Sequence, residues 1–215
     1  MKLITELYKD TQHILPETGQ YVIAHQQDEL IVVYQAYAPS IANFAVANQK
    51  LGGSAFSYNR MSWIKPNFLW MMFRCGWASK ENQERVLALW IKKTALEDIL
   101  DQAVFSTFKR NHYNDKAEWQ ADLDKKPVRL QWDPDHDPYG AKLERRAVQL
   151  GLKGETLTTF GNEMIQQIED ITPFVKEQKK LVDTNNLHLL QIPVERIWMP
   201  ENTTLIEKLD IGKTE

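Results

Sequence analysis

The chain has 215 residues, of which 43% are hydrophobic and 26% charged, a composition ordinary for a globular protein and long enough to bury a core without staples. A net charge of −3 and a pI near 6.0 offer no global attraction to nucleic acid or to an anionic membrane. The single cysteine, Cys75, excludes an intrachain disulfide and points to a reducing, cytoplasmic setting.

At the start of the chain, Leu3, Ile4, Leu7, Tyr8 and Ile14 form one stripe, which predicts a helix over residues 2–14, broken by Pro16 and Gly19. The same segment carries acids and lacks a long apolar run or a small-residue cleavage site, so it does not read as a signal peptide. Residues 21–24 and 30–36 are β-branched and aromatic, and predict two strands of a hairpin with a wide turn. Pro39 stands where a helix would start; Ile41, Phe44, Ala45 and Asn48 continue it, and Gly52-Gly53 ends it. Residues 66–74 predict a short helix stopped at Gly76, apolar on every face from Phe68 to Phe73 and therefore buried all round. That stretch falls far short of the ~20 residues of a membrane span.

Residues 85–91 read as a strand and 94–105 as a helix with Leu96, Ile99, Leu100 and Val104 inward. A polar stretch with a short helical pattern around Trp119 and Leu123 follows, then strands over 128–132 and 147–152. Leu157, Phe160, Met164, Ile165 and Ile168 make the clearest stripe in the chain and predict a helix over 155–168. Thr172-Pro173 punctuates a further helix over 174–181; residues 189–198 read as the last strand, with fraying expected beyond Pro200. Strands and helices alternate irregularly, so the expected fold is α+β: a single domain over residues 1–215 with a mixed, mostly antiparallel sheet packed with several helices.

Between Glu29 and Glu81 there is no acid, while Lys50, Arg60, Lys65, Arg74 and Lys80 give the interval a local charge of +5. Tyr34, Tyr37, Phe56, Tyr58, Trp63, Trp70 and Trp77 lie among them. Cations beside rings suit a phosphate-bearing ligand, the charge for the phosphate and the ring for a base. The plainer alternative is an aromatic core with solvated charges around it. The words IVVYQAYAPSIANFAV, FSYNRMSWIKPNFLWMMFRCGW, VRLQWDPD and RRAVQLGLKGE resemble a family catalogued as domain of unknown function 4291, over about residues 21–175. That resemblance implies no activity. It does point to the same block and adds Gln131, Trp132, Asp133, Arg146 and Gln149, leaving the N-terminal helix and the tail after Val182 outside it.

Several further constellations bear on chemistry. Residues 133–144, DPDHDPYGAKLE, place acids at the spacing of a calcium loop, but Pro138 occupies the position that needs glycine, and a strand precedes it. The scattered histidines and lone thiol match no zinc spacing, so no metal is expected. A second basic run, Lys109, Arg110, His112, Lys116, Lys125, Lys126 and Arg129, is diluted by acids and reads first as a solvated face.

The leading expectation is a pocket for a nucleotide-like anion built from Tyr34, Gln35, Tyr37, Arg60, Trp63, Lys65 and Arg74, with Gln131, Asp133, Arg146 and Gln149 facing it. The strand, Pro-led helix and aromatic-basic order is similar to ADP-ribosyltransferase folds. On that analogy NAD is the cofactor, Gln35 the polar strand residue, and Glu84 or Asp133 the catalytic carboxylate. The alternative is a non-catalytic module that binds a nucleotide or RNA; no membrane partner is expected.

Overall fold

A computed structural model of the chain describes residues 1–11 and 13–214. In place of the helix predicted over residues 2–14 come a strand, β1 (Thr5–Leu7), and one helical turn, α1 (Tyr8–Thr11); Gln12, within that expectation, lies outside the described residues. The predicted hairpin forms as β2 (Val22–Gln27) and β3 (Leu30–Tyr37), with a two-residue turn tighter than expected and Asp28 at φ 51. Helix α2 (Pro39–Asn48) starts on its proline, and β4 (Ser62–Ile64) leads into α3 (Phe68–Cys75). Next come β5 (Arg85–Lys92), α4 (Lys93–Asp101) and β6 (Ala103–Phe105), so the helix predicted over 94–105 stops early and its end becomes a strand. Helix α5 (Lys116–Lys125) precedes a long hairpin, β7 (Val128–His136) and β8 (Lys142–Leu152).

The clearest helical stripe in the sequence is divided. It yields α6 (Gly154–Thr159), a π-helical turn (Phe160–Met164) and then strand β9 (Ile165–Asp170). The cause is a bulge. β9 pairs Ile168 with Leu89, Gln167 with Trp90 and then Ile165 with Ile91, so residues three apart both face the core and imitate a helical period. Helix α7 (Thr172–Asp183) follows, then β10 (Gln191–Pro193), β11 (Glu195–Trp198) and α8 (Thr204–Lys208). The last helix overturns the expected fraying, because Leu205, Leu209 and Ile211 are buried in the core.

The architecture is α+β, with mostly antiparallel sheets. A five-stranded sheet has the order β11-β2-β3-β5-β9, a four-stranded sheet the order β4-β8-β7-β6, and β1 pairs with β10. Only β6 and β7 run parallel among the described pairs. Alternation along β3 sorts its side chains. Ile31 and Val33 join Leu130, Leu150 and Leu152 of the four-stranded sheet in one cluster, while Val32 and Tyr34 join Phe68, Met71 and Met72 of α3 and Val175 of α7 in the other. Each such side chain contributes roughly 1.5–3 kcal/mol on burial. No helix among the described residues is long and apolar enough to cross a membrane.

Helix α3 is buried from Phe68 to Met72 but, against the expectation of burial all round, exposes Phe73 and Arg74 in its last turn; its buried N-terminal end needs internal partners. Asn67 caps it by accepting from the Trp70 N–H at 2.7 Å, and the Glu195 carboxylate of β11 accepts from the Phe68 N–H at 2.8 Å. At the other end Gly76 takes φ 59, and Trp77 and Ala78 remain left-handed at φ 54 and φ 64. Left-handed backbone costs about 1–2 kcal/mol per non-glycine residue. It is held here by the Trp77 Nε1 bond to the Pro138 carbonyl and by the Ala78 N–H against Cys75 Sγ.

Glu195→Ala is expected to destabilise by about 1–3 kcal/mol by leaving the Phe68 N–H unpaired. A fall of several degrees in melting temperature would register it, and Glu195→Gln, which keeps the acceptor, should recover most of the loss.

Candidate functional site

β2 and β3 pair only at Gln26–Ile31 and Gln27–Leu30, whereas β3 pairs with β5 along its whole length. On the edge that β2 leaves, Tyr34 exchanges two main-chain hydrogen bonds with Lys65, at 2.7 and 3.2 Å. Ile64, one residue earlier, is still paired with Leu150 of the four-stranded sheet. The chain therefore steps from one sheet to the other at Lys65, and α3 begins three residues later. The junction opens into a cleft of about 450 Å³ at the end of β3.

Lys65 is the cleft's deepest charge. It is 4% exposed, lines the cleft, and among the described residues its Nζ makes no ion pair or hydrogen bond; its one directed contact lies over the Trp70 ring, 5.4 Å from the centroid. Burial, then the neighbouring Arg74 guanidinium, push its pKa down to about 7, while Asp133 pulls the other way. Arg60 and Arg74 line the same cleft from exposed positions, Arg74 with Nη1 donating to Gln83 Oε1 at 3.3 Å.

One wall carries a closed hydrogen-bond network. Gln35 Nε2 donates to Ser62 Oγ at 2.8 Å and to the Trp63 carbonyl at 3.3 Å, and Gln35 Oε1 accepts from the Tyr37 hydroxyl at 2.8 Å. Burial pushes the Tyr37 hydroxyl well above its ordinary range, so it stays a donor. Both ends of the Gln35 amide are committed, which makes Gln35 a positioning residue for β4. Trp63 rests on Gly151 of β8, directly opposite it: a Cβ there would lie 2.9 Å from two ring atoms and 2.7 Å from Met61 Sδ. Glycine at that position is what lets the indole line the cleft.

On the other wall Gln149 Nε2 donates to Asp133 Oδ2 at 2.7 Å and Gln131 Nε2 to Oδ1 at 2.8 Å. Burial raises the Asp133 carboxyl, partly offset by these two amides and by Lys65. Gln149 lines the cleft, with Asp133 and Gln131 behind it.

Of the residues expected to form a pocket, Gln35, Tyr37, Arg60, Trp63, Lys65, Arg74 and Gln149 thus meet at one cleft. Tyr34 does not. Strand alternation turns its fully buried ring toward α3, against Phe68. Arg146 also points elsewhere, into a separate depression lined by Gly19, Gln20 and Glu144, its main chain bonded to Gly19. Glu84 lies in the turn before β5, where Oε1 accepts from the Asn82 N–H; it is not among the cleft's lining residues. Cys75 is buried, and burial pushes its thiol up, opposite to an activated thiolate. The calcium-like segment is the β7–β8 turn, where Asp137 Oδ1 accepts from the Tyr139 and Ala141 N–H groups. In the second basic run, Arg129 is 9% exposed and donates to the carbonyls of Leu123 and Lys126 at the end of α5.

The sequence reading missed the polar layer beneath the cleft. Asp135, fully buried, pairs with Arg145 at 2.6 Å, and both act on Glu195, whose carboxyl is raised well above its usual range first by burial. The Tyr34 hydroxyl lies near Glu195 without a hydrogen bond of good geometry. His136, 2% exposed, stacks on Phe73 at 3.6 Å. The available signal was an acid, Glu195, inside the apolar run IPVERIW.

A family model described as Domain of unknown function (DUF4291) matches residues 21–198, which extends past the resemblance read over residues 21–175 and takes in β11 with Glu195. No curated protein matches the chain.

Because Lys65 has a depressed pKa in the folded chain, its stability cost is complete below about 7, shrinks toward 10.5 and vanishes above it. Lys65→Met is therefore expected to raise the melting temperature by a few degrees, and by more at about pH 6 than at about pH 9. Thermal unfolding across that range checks the sign.

Proposed function

We propose that this chain, which belongs to the family described as Domain of unknown function (DUF4291), binds a phosphate-bearing, nucleotide-like small molecule in its cleft. One observation carries the reading: Arg60, Lys65 and Arg74 converge on one cavity, and the most buried of them has no carboxylate partner among the described residues. An unpaired buried cation is costly, and an anionic ligand supplies the missing charge. A volume of about 450 Å³ suits a ligand of nucleotide size. Trp63 offers a ring for a base, and Gln149 an amide for a base edge or ribose.

Binding is better supported than NAD-dependent ADP-ribosyl transfer. Transfer requires a carboxylate free to stabilise developing positive charge on the ribose. Both Asp133 oxygens already accept from glutamine amides, the Gln35 amide is committed at both ends, and Glu84 is not in the lining. An extended RNA track is less well supported than a mononucleotide, because Arg129 of the second basic run is turned into its own helix end. A reducing, cytoplasmic setting belongs to the same proposal, resting on the single free thiol.

A thermal-shift panel with ADP, ATP, NAD and short oligonucleotides tests this. At least one mononucleotide is expected to raise the melting temperature by a few degrees at saturation. Arg74→Ala should weaken that ligand about 10–100-fold, the loss of a charge-assisted hydrogen bond. Affinity should fall as pH rises through about 7, where Lys65 loses its proton. No shift with any phosphate-bearing ligand sinks the reading. Release of nicotinamide from NAD would instead favour transfer.

A further inference from the structure

The two arginines and the lysine of the cleft are not equivalent. Arg60 and Arg74 are exposed, and a guanidinium keeps its charge at any physiological pH. They hold a phosphate or carboxylate even when Lys65 has lost its proton, and a protonated Lys65 adds to that affinity. Lys65 sits behind them, 4% exposed, against the Trp70 ring, with Arg74 as a like-charged neighbour and no acceptor for its protons among the described residues. A lysine meant only to supply charge gains nothing from that placement. Desolvation beside a second cation is the arrangement that frees the amine lone pair near neutral pH.

We propose that Lys65 is an amine nucleophile that forms an imine with the carbonyl carbon of a small aldehyde or ketone bearing a phosphate or carboxylate, the anion being held by Arg60 and Arg74. The inference rests on the anion-binding reading of the same cleft. In the reaction the Nζ lone pair adds to the carbonyl carbon. The carbonyl oxygen then leaves as water with the two protons the amine carried, and a carbon–nitrogen double bond remains. No oxidant, metal or further reactant enters.

The charged and titratable groups facing Lys65 agree with this role. Arg74 from α3 opposes its protonation, and Asp133 from β7, itself shifted upward by burial, is the carboxyl whose field it feels. Tyr37 lines the same cleft with its hydroxyl proton committed to Gln35 Oε1, so it adds no competing charge beside the amine. Lys50 and Lys80 of the same acid-free block are exposed, and neither lines the cleft. They serve as internal controls.

Pyridoxal 5′-phosphate, an aldehyde that carries a phosphate, is the probe. The 215-residue chain is incubated with it near neutral pH, reduced with borohydride, weighed intact by mass spectrometry and mapped by peptide. One adduct per chain, on Lys65, is expected, with at least a tenfold preference over Lys50 and Lys80. Unphosphorylated pyridoxal should label far less, and inorganic phosphate should compete. Lys65→Arg should abolish the adduct while its thermal shift with pyridoxal phosphate persists. If the wild-type protein shows that thermal shift but no Lys65 adduct, the imine proposal fails and the anion site stands. If neither shift nor adduct forms, both fail. Label spread evenly over exposed lysines also overturns the proposal.

Discussion

Two main-chain hydrogen bonds between Tyr34 and Lys65 hold the end of β4 against β3 and leave the Lys65 side chain directed into the cleft. The strands around that contact give little freedom. β3 is locked along its far edge by β5, and Ile64 is locked to Leu150 in the other sheet. A lysine at the crossing residue is therefore buried by backbone geometry rather than by any attraction for its ammonium. Polar groups inside a protein are normally paired, and this one is paired only with a ring face. The stability forgone there is what the proposed anion binding and amine chemistry would draw on.

The walls follow from the same crossing. Gln35 and Tyr37 leave β3 on the face opposite Tyr34, and their network grips β4 through Ser62 and the Trp63 carbonyl. Gly151 gives Trp63 room to lie over β8. Helix α3, which brings Met71 and Arg74 to the cleft, is seated by Glu195 from near the far end of the chain. Burial raises the Glu195 carboxyl well above its usual range, and the Phe68 N–H at the positive end of the helix offsets part of that desolvation. The tail thus fixes the helix, the helix fixes Arg74, and Arg74 adds to the burial that depresses Lys65.

Much of this was legible because of what the sequence omits. With no acid between Glu29 and Glu81, the cations of that block had no local partner, and three of them meet in one cavity. The helix at residues 66–74 and its stop at Gly76 were readable from proline, glycine and an all-round apolar run. Tyr34 was misplaced because strand parity, not composition, decides which of Tyr34 and Gln35 faces the cleft. The stripe over residues 155–168 misled because a bulge in β9 gives a strand the spacing of a helix. The tail was undervalued for another reason: Glu195, Leu205 and Leu209 act through contacts with residues far away in the chain, which no local pattern encodes.

The central claim is that Lys65 is a buried, unpaired amine poised near neutrality. Isotope labelling of the lysine ε-carbons, followed by NMR across a pH titration, tests it most directly, with Lys65→Arg assigning the resonance. One lysine signal, absent in that variant, is expected to titrate near 7, well below the ordinary range of a lysine side chain. If the Lys65 signal titrates with the rest, the amine is an ordinary solvated cation and the account of the cleft is wrong.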